Sequence, residues 1–256
     1  MTGRIVPVGD LPAHGKVSVD LPPPSSALAV GAHPDDVEFG CGATLAKWAV
    51  AGCRVHHLVL TDGSKGSWDA DDDRHGDLVT TRRAEQREAA RRLGGDDVDF
   101  LDFVDGELES GRAQMLEVCR VLRRVRPAVV LGHDPWRRYR IHPDHRHAGW
   151  LVVDAVAAAR EPRFHPDLGP AQRPEALLLW EADEPNHVEE VGGSVEAKVA
   201  ALLAHESQYR STFGVEKADL GSAPEVVRAF VEGQLADHGR LSGVDRGEAF
   251  RLITAL

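Results

Sequence analysis

Cysteine is scarce in this sequence, since only Cys41, Cys53 and Cys119 occur among 256 residues. None of the three lies in a C-x-x-C pair, and three scattered thiols are too few for a disulfide framework. We therefore interpret them as small buried hydrophobic residues, and we leave them out of any metal site.

An excess of basic residues is also lacking. Lys and Arg total 30 against 41 Asp and Glu, which gives a formal net charge of −11. No basic stripe is present that would attract a phosphate backbone. No apolar run approaches the roughly 20 residues that span a bilayer, and no basic segment followed by an apolar run stands at the N-terminus. We expect a cytoplasmic protein with no nucleic-acid or membrane partner.

Proline and glycine are frequent in residues 1–26, which end in Leu-Pro-Pro-Pro-Ser-Ser. This composition favours an extended, loosely docked arm over a packed element. The chain as a whole is 42% hydrophobic, which at this length is enough to bury a sizeable core. We predict an N-terminal arm over 1–26 and a single catalytic domain over 27–256.

Short apolar runs alternate with helical patterns along the rest of the chain. We predict strands over 27–32, 54–60, 98–103, 128–131 and 176–180, and helices over 38–51, 80–93, 112–125, 148–160, 194–206 and 224–237. Residues 249–254 are predicted to form a final edge strand. The alternation predicts an α/β fold, a Rossmann-like parallel sheet with helices on both faces. A nucleotide-binding protein is not expected, because no G-x-G-x-x-G follows the first strand.

Two dense polar clusters follow apolar strands of the predicted sheet. One is His33-Pro-Asp-Asp36, and the other is His142-Pro-Asp-His145. Open parallel sheets bind ligands beyond the carboxyl ends of their strands, so the fold is expected to bring the two clusters together. The sequence thus predicts one site at the C-terminal strand ends.

The two clusters contain the groups that metal-assisted hydrolysis requires. A catalytic zinc needs three imidazole or carboxylate ligands and an open position, which leaves a carboxylate as base and a histidine as acid. Alternatively, the aspartates cap helices and the histidines are surface or satisfied core residues. For a single His-Pro the second interpretation is favoured, whereas for both clusters together the metal site is favoured.

The sequence resembles the PIG-L (LmbE-like) family of zinc-dependent N-deacetylases in Ala32-His-Pro-Asp-Asp-Val-Glu38 and in the second histidine cluster. Further segments resemble family signatures in the expected order: Thr61-Asp-Gly63, Arg82-Arg-Ala-Glu85, Leu93-Gly94 and Phe103-Val-Asp-Gly106. The resemblance covers roughly residues 27–160, and the last hundred residues match no family signature.

The resemblance implies a metal site made of His33, Asp36 and His145. Zinc is the expected ion, although iron or cobalt can use the same nitrogen and oxygen ligands. Asp35 is implied as the general base that takes a proton from the attacking water.

The same resemblance implies that His142 is the acid, which protonates the departing amine or stabilises the tetrahedral oxyanion. Asp144 is then expected to hold the His142 imidazole in the required tautomer. In one branch of the family a tyrosine lies two residues before His142, whereas this chain has Arg140 there and Tyr139 one position earlier. A tyrosine oxyanion donor is therefore not expected.

Two arginines are candidate substrate-binding residues. Arg82 contacts sugar hydroxyls by resemblance, but it lies three residues before Glu85 and fits an ordinary helical ion pair equally well. Arg140 belongs to a cationic, aromatic loop over 136–140, which either holds an acidic or glycosidic substrate or is salt-bridged to its neighbours.

The predicted activity is hydrolysis of a linear amide, of the EC 3.5.1 type, which removes acetyl from an N-acetylated amino sugar or a related small glycoconjugate. An amidase for a larger N-acyl group or thiol conjugate would use the same chemistry. A sugar-binding protein with a vestigial metal site is the alternative from another class, and Asp35 and His142 argue against it. The sequence does not decide between a monomer and a homo-oligomer.

Overall fold

A computed structural model describes residues 17–68, 75–95 and 97–256 of the protein. Residues 1–16 of the predicted arm therefore lie outside the described residues. The described end of the arm contains a two-residue strand, β1, at Ser18–Val19, which pairs in parallel with residues 187 and 188. That end of the arm thus docks on the sheet, and the boundary at residue 26 stays a prediction.

The centre of the fold is an eight-stranded sheet with the strand order β1-β7-β8-β6-β5-β2-β3-β4. The strands after β1 are β2 Ser26–Gly31, β3 Arg54–Thr61, β4 Asp97–Phe103, β5 Val129–His133, β6 Ala176–Trp180, β7 His187–Glu190 and β8 Gly247–Ile253. All neighbouring pairs are parallel except those of β8, which runs antiparallel to both β6 and β7.

Seven helices connect and cover the strands in the described part of the chain. They are α1 Asp36–Val50, α2 His75–Arg92, α3 Arg112–Val125, α4 Pro143–Arg160, α5 Val195–Leu202, α6 Tyr209–Phe213 and α7 Ala223–Gly239. Of these described helices, none is long and apolar enough to cross a membrane.

Strand β2 shows why both faces of the sheet are covered. Its side chains alternate, so that Leu28 and Val30 pack against α3 and α4 while Ala27 and Ala29 pack beneath α1 with Trp48. A strand that is apolar on both sides must bury both sides, which requires helices on each face. The predicted α/β architecture is confirmed.

The prediction for the last strand was wrong in its position. Residues 249–254 were expected at an edge, whereas β8 lies inside the sheet between β6 and β7. Its pairing with Leu177–Trp180 on one side and His187–Glu190 on the other fully buries Phe250. The outer edge on this side is β1. The short strands β1 and β7 were not predicted, which is why β8 was expected at the edge.

The strand order places a crevice at the C-terminal end of β2. This strand has β3 on one side and β5 on the other, so the chain leaves β2 and β5 in diverging directions, and ligands bind at such points. Helix α4 is held close to β5 because Gly149 has no side chain. A Cβ atom there would lie 2.7 Å from the carbonyl oxygen of His133. The start of α4 is thereby fixed above the crevice.

Candidate metal centre and active site

The two histidine clusters meet in the crevice, as predicted. His33 follows β2, Asp36 begins α1, and His145 lies in the first turn of α4. The His33 Nδ1 atom lies 3.2 Å from His145 Nε2 and 3.4 Å from Asp36 Oδ2. The third separation, from His145 Nε2 to Asp36 Oδ1, is 3.2 Å. Two imidazoles and one carboxylate therefore lie together, with His33 next to Oδ2 and His145 next to Oδ1 of Asp36.

These separations fit a tetrahedral zinc ion. With Zn–N and Zn–O bonds of about 2.0–2.1 Å, two ligands of a tetrahedral ion lie about 3.3 Å apart. The observed separations range from 3.2 to 3.4 Å, with one Asp36 oxygen facing each imidazole. The donor set also agrees with zinc, which accepts imidazole nitrogen and carboxylate oxygen.

The neighbours of His33 show which of its ring nitrogens carries the donating proton. Its Nε2 atom lies 3.1 Å from Asp105 Oδ1 and 3.1 Å from Asp144 Oδ2, and both carboxylates are buried. Burial alone would lower the pKa of His33, but Asp105, Asp144 and Asp36 together raise it well above its usual value. Nε2 is therefore the donor nitrogen, and Nδ1 is the nitrogen that faces Asp36 and His145. A carboxylate behind a metal-binding histidine fixes the ring in this manner.

Two other groups of side chains have metal-ligand spacing, but their contacts argue against them. One uses His33, Asp105 and His142, and it would need the His33 nitrogen that donates to carboxylates. The other uses His133, His145 and Glu181. The guanidinium of Arg140 already occupies that place, because its Nη2 atom contacts all three side chains.

His133 positions Asp36 from the end of β5. The Trp180 indole N–H donates to His133 Nδ1 over 2.9 Å. An indole nitrogen can only donate, so Nδ1 accepts and Nε2 carries the proton. That Nε2 atom lies 3.2 Å from Asp36 Oδ2. Sequence reasoning did not assign this role to His133, because its partner Trp180 comes from another strand.

Asp35, the predicted base, is held in a strained backbone conformation. Its φ of 106° is in the left-handed region, which costs a residue other than glycine about 1–3 kcal/mol. The Asp35 N–H donates to Gln86 Oε1 over 2.8 Å, and Gln86 Nε2 donates to Glu38 Oε1 over 2.9 Å. Burial raises the pKa of the Asp35 carboxyl to about 6, against the opposing effect of Arg82. Strain that persists beside a cluster of ligands is typical of a functional position.

Arg82 lines the cavity but is engaged by the protein. Its guanidinium donates to the carbonyl oxygens of Gly63 at 2.9 Å and Pro34 at 2.7 Å, and it lies 3.5 Å from Asp35 Oδ2. The carboxylate of Glu85, the alternative ion-pair partner of Arg82, accepts hydrogen bonds from the N–H and hydroxyl of Ser207. These contacts show Arg82 as a residue that fixes Asp35, and its contact with substrate stays a prediction.

Arg140 contacts the candidate metal ligand His145, and only 6% of its side chain is exposed. It pairs with Glu181 and donates to His145 Nδ1 over 2.8 Å. The pKa of Glu181, which burial would raise, is lowered to about 2 by His133 and Arg140. Tyr139, which precedes Arg140 in the chain, is 95% exposed. The loop is thus salt-bridged to its neighbours, while substrate binding by Arg140 stays a prediction.

His142, the predicted acid, stands at the open side of the centre. Its ring centroid lies 4.7 Å from that of His33 and 4.8 Å from that of His145. Burial and the nearby His33 lower the pKa of His142. Asp144 was expected to orient His142, but its carboxylate accepts from the Gly106 N–H at 2.7 Å and from His33. The structure thus shows Asp144 as the partner of His33, and its predicted effect on His142 stays a prediction.

A buried ion pair between Lys198 and Glu248 fixes helix α1, which begins at Asp36. Helix α1 is interrupted at Cys41, where φ is −150°. Glu248 of β8 accepts from the N–H groups of Ala43 at 3.1 Å and Thr44 at 2.7 Å, which begin the second part of the helix. Lys198 donates to Glu248 at 2.7 Å and to the carbonyl oxygen of Phe39 at 2.8 Å, which ends the first part. The pair thereby holds both parts of α1 in place.

The candidate metal centre lines a cavity of about 400 Å³. One side of the cavity contains the histidines and aspartates described above. Another part of the lining is built from Phe39 and from α6 and α7, whose side chains at the cavity are Ser211, Thr212, Phe230 and Gln234. The C-terminal hundred residues, which had no predicted function, therefore supply one wall of the site.

Comparisons with known proteins agree with this geometry. The family described as PIG-L, GlcNAc-PI de-N-acetylase, matches residues 28–156, a range that includes both histidine clusters. The diacetylchitobiose deacetylase of Thermococcus kodakarensis is 38% identical over 186 residues, or 71% of this chain and 69% of that protein. The 1D-myo-inositol 2-acetamido-2-deoxy-alpha-D-glucopyranoside deacetylase of Geodermatophilus obscurus is 31% identical over 84% of this chain and 79% of its own. A solved structure of N,N'-diacetylchitobiose deacetylase from Pyrococcus horikoshii, complexed with its inhibitor MPG, has a TM-score of 0.79 and 28% identity, over 90% of this chain and 84% of that chain.

Proposed function

The chain belongs to the PIG-L family and is an N-deacetylase of N-acetylated amino sugars, and we propose that it performs this hydrolysis with a zinc ion held by His33, Asp36 and His145. The observation that carries the proposal is the close approach of His33 Nδ1 and His145 Nε2 to each other, 3.2 Å, and to the two oxygens of Asp36, 3.4 and 3.2 Å, next to the buried and strained Asp35. Small glycosides of N-acetylglucosamine are the proposed substrates, since the relatives are named for diacetylchitobiose and an inositol glycoside.

The protein's own residues divide the proton transfers between them. Zinc, when bound, supplies a Lewis acid that polarises the amide carbonyl and a water molecule. Asp35 takes a proton from the attacking water, and a pKa of about 6 leaves it ionised at neutral pH. Arg82 and Gln86 hold this carboxylate and its backbone in place.

His142 donates a proton to the departing amine on the open side of the centre. Base and acid must flank the substrate, because a carboxylate beside the metal cannot reach a leaving nitrogen on the far side of the carbonyl. Asp105 and Asp144 stabilise the ring orientation of His33, which leaves its other nitrogen for the metal.

Amine release by purified protein of known zinc content tests the proposal. N-acetylglucosamine, N,N'-diacetylchitobiose and the inositol glycoside are compared with N-butyryl analogues, which separate a deacetylase from an amidase for larger acyl groups.

Asp35→Asn should keep its zinc and lose about 10²- to 10⁴-fold in turnover, because the change removes the basic oxygen and preserves shape. The exposed Asp167 provides the matched control, Asp167→Asn, which should behave as wild type. Near-normal turnover of Asp35→Asn would show that Asp35 is not the base.

A further inference from the structure

The wall of the cavity that Phe39, α6 and α7 form contains an aromatic cluster. Phe39, Phe213 and Phe230 lie in mutual contact, with ring centroids 5.5 Å apart for Phe39 and Phe213, and 5.6 Å apart for the other two pairs. Two of the three contacts are edge-to-face, an arrangement that stabilises aromatic pairs. Phe230 nevertheless remains 44% exposed and lines the cavity. A large apolar ring that is held rigidly and left open in a cavity wall is typical of a ligand contact.

Gln234 presents a hydrogen-bond donor beside this ring. It lies one helical turn after Phe230 on α7 and lines the same cavity. The buried ammonium of Lys198 donates to Gln234 Oε1 over 2.9 Å. An ammonium group can only donate, so the amide oxygen faces Lys198 and the amide NH₂ is the group left for a ligand. The hydroxyls of Ser211 and Thr212 line the same wall.

The wall carries no free positive charge among the described residues that line the cavity. Arg82 is engaged by two backbone carbonyls and lies near Asp35. Lys65 Nζ lies 2.7 Å from Glu107 Oε1. A phosphate or carboxylate group would normally be bound by an unpaired arginine or lysine. The wall therefore suits an uncharged ligand that has an apolar face and hydroxyl groups.

We propose that Phe230, with Phe39 and Gln234, forms a subsite for a second, uncharged six-membered polyol ring that is glycosidically linked to the N-acetylated amino sugar. The ring stacks its C–H face on Phe230, and a hydroxyl accepts from the Gln234 amide. A pyranose and an inositol ring share this chemistry. The inference rests on the proposed function and adds that the α6–α7 wall selects a glycoside over the free monosaccharide.

The test compares kcat/KM for N-acetylglucosamine, N,N'-diacetylchitobiose, the N-acetylglucosaminyl inositol and N-acetylglucosamine 1-phosphate. Wild-type protein should prefer one of the two glycosides over the monosaccharide, and the preferred one identifies the ring. Phe230→Ala should lower the ratio of the glycoside value to the monosaccharide value by about 3- to 10-fold, the worth of one aromatic contact. Phe230→Leu should give a similar loss, since it keeps apolar volume without the ring. The matched control is Phe164→Ala, because Phe164 is 54% exposed and does not line the cavity.

Equal losses on the glycoside and the monosaccharide in both Phe230 variants would overturn the subsite, because they indicate a purely structural contribution. A wild-type preference for the free monosaccharide or the 1-phosphate would overturn it as well. In either case deacetylation itself persists, so the proposed function survives. Zinc-loaded wild-type protein that deacetylates none of the four compounds would contradict both proposals.

Discussion

Removal of the buried Lys198 ammonium should destabilise the protein strongly. Lys198 is 0% exposed and Glu248 is 1% exposed, so Lys198→Met leaves a buried carboxylate without its counter-ion. Breaking a buried pair from one side costs about 3–5 kcal/mol. At about 2–4 °C per kcal/mol for a chain of this size, the melting temperature should fall by roughly 10 °C.

The double variant Lys198→Met/Glu248→Gln separates the charge effect from the loss of packing. The amide oxygen that replaces the Glu248 carboxylate can still accept from the Ala43 or Thr44 N–H, and no buried charge remains. We therefore expect the double variant to be more stable than Lys198→Met alone, with a coupling within the roughly 0.5–3 kcal/mol range of contacting residues.

Urea unfolding followed by circular dichroism gives the free energies of unfolding for the four members of the cycle. Lys65→Met is the matched control, because the Lys65 side chain is 52% exposed in its pair with Glu107 and such pairs contribute about 0–1 kcal/mol. Equal free energies of unfolding for Lys198→Met and the double variant would refute the reasoning, because an uncompensated buried carboxylate would then not destabilise the protein.

The remaining predictions concern the active site. The pH profile of kcat/KM should be bell-shaped: the rate falls below about pH 6 as Asp35, whose pKa burial raises to about 6, becomes protonated. It falls again on the higher-pH side of the optimum as His142, whose pKa burial lowers below its ordinary value, loses its proton. The two limbs therefore lie close together and the optimum should be narrow. His142→Ala should flatten the alkaline limb with unchanged zinc content, and an unchanged limb would assign it to another group. Trp180→Phe removes one of the two N–H groups that donate to His133 Nδ1, the other being that of Arg140. Zinc affinity should therefore fall about 10-fold in a chelator competition, and wild-type affinity would contradict a role of Trp180 in orienting His133.

The sequence predicted most of the fold because apolar alternation and helical spacing are local signals. Helix α3 at Arg112–Val125 and strand β6 at Ala176–Trp180 have the predicted bounds. The interior position of β8 was missed because which strand pairs with which is set by tertiary packing. Lys198 escaped notice for the same reason: its partner Glu248 is 50 residues away, on a strand.

In the candidate site, too, the residue types could be predicted from local sequence, whereas their orientation could not. Cluster composition suggested a metal centre, and the resemblance supplied a residue for each part of the chemistry. The orientation of each ring depends on partners far away in sequence, as with Asp144, whose contact with His33 was not predicted. Likewise the strained φ of Asp35 depends on Gln86, which is brought in by α2.

The central claim is that His33, Asp36 and His145 hold one zinc ion, and elemental analysis of the purified variants tests it most directly. Wild-type protein should contain about one zinc per chain, and His33→Ala and His145→Ala should contain almost none, since three protein ligands are the usual number for a catalytic zinc. His147→Ala is the matched control on the same helix, because His147 contacts Ser110 and does not line the cavity. It should keep its zinc. Zinc content that is unchanged in His33→Ala and His145→Ala would contradict the account.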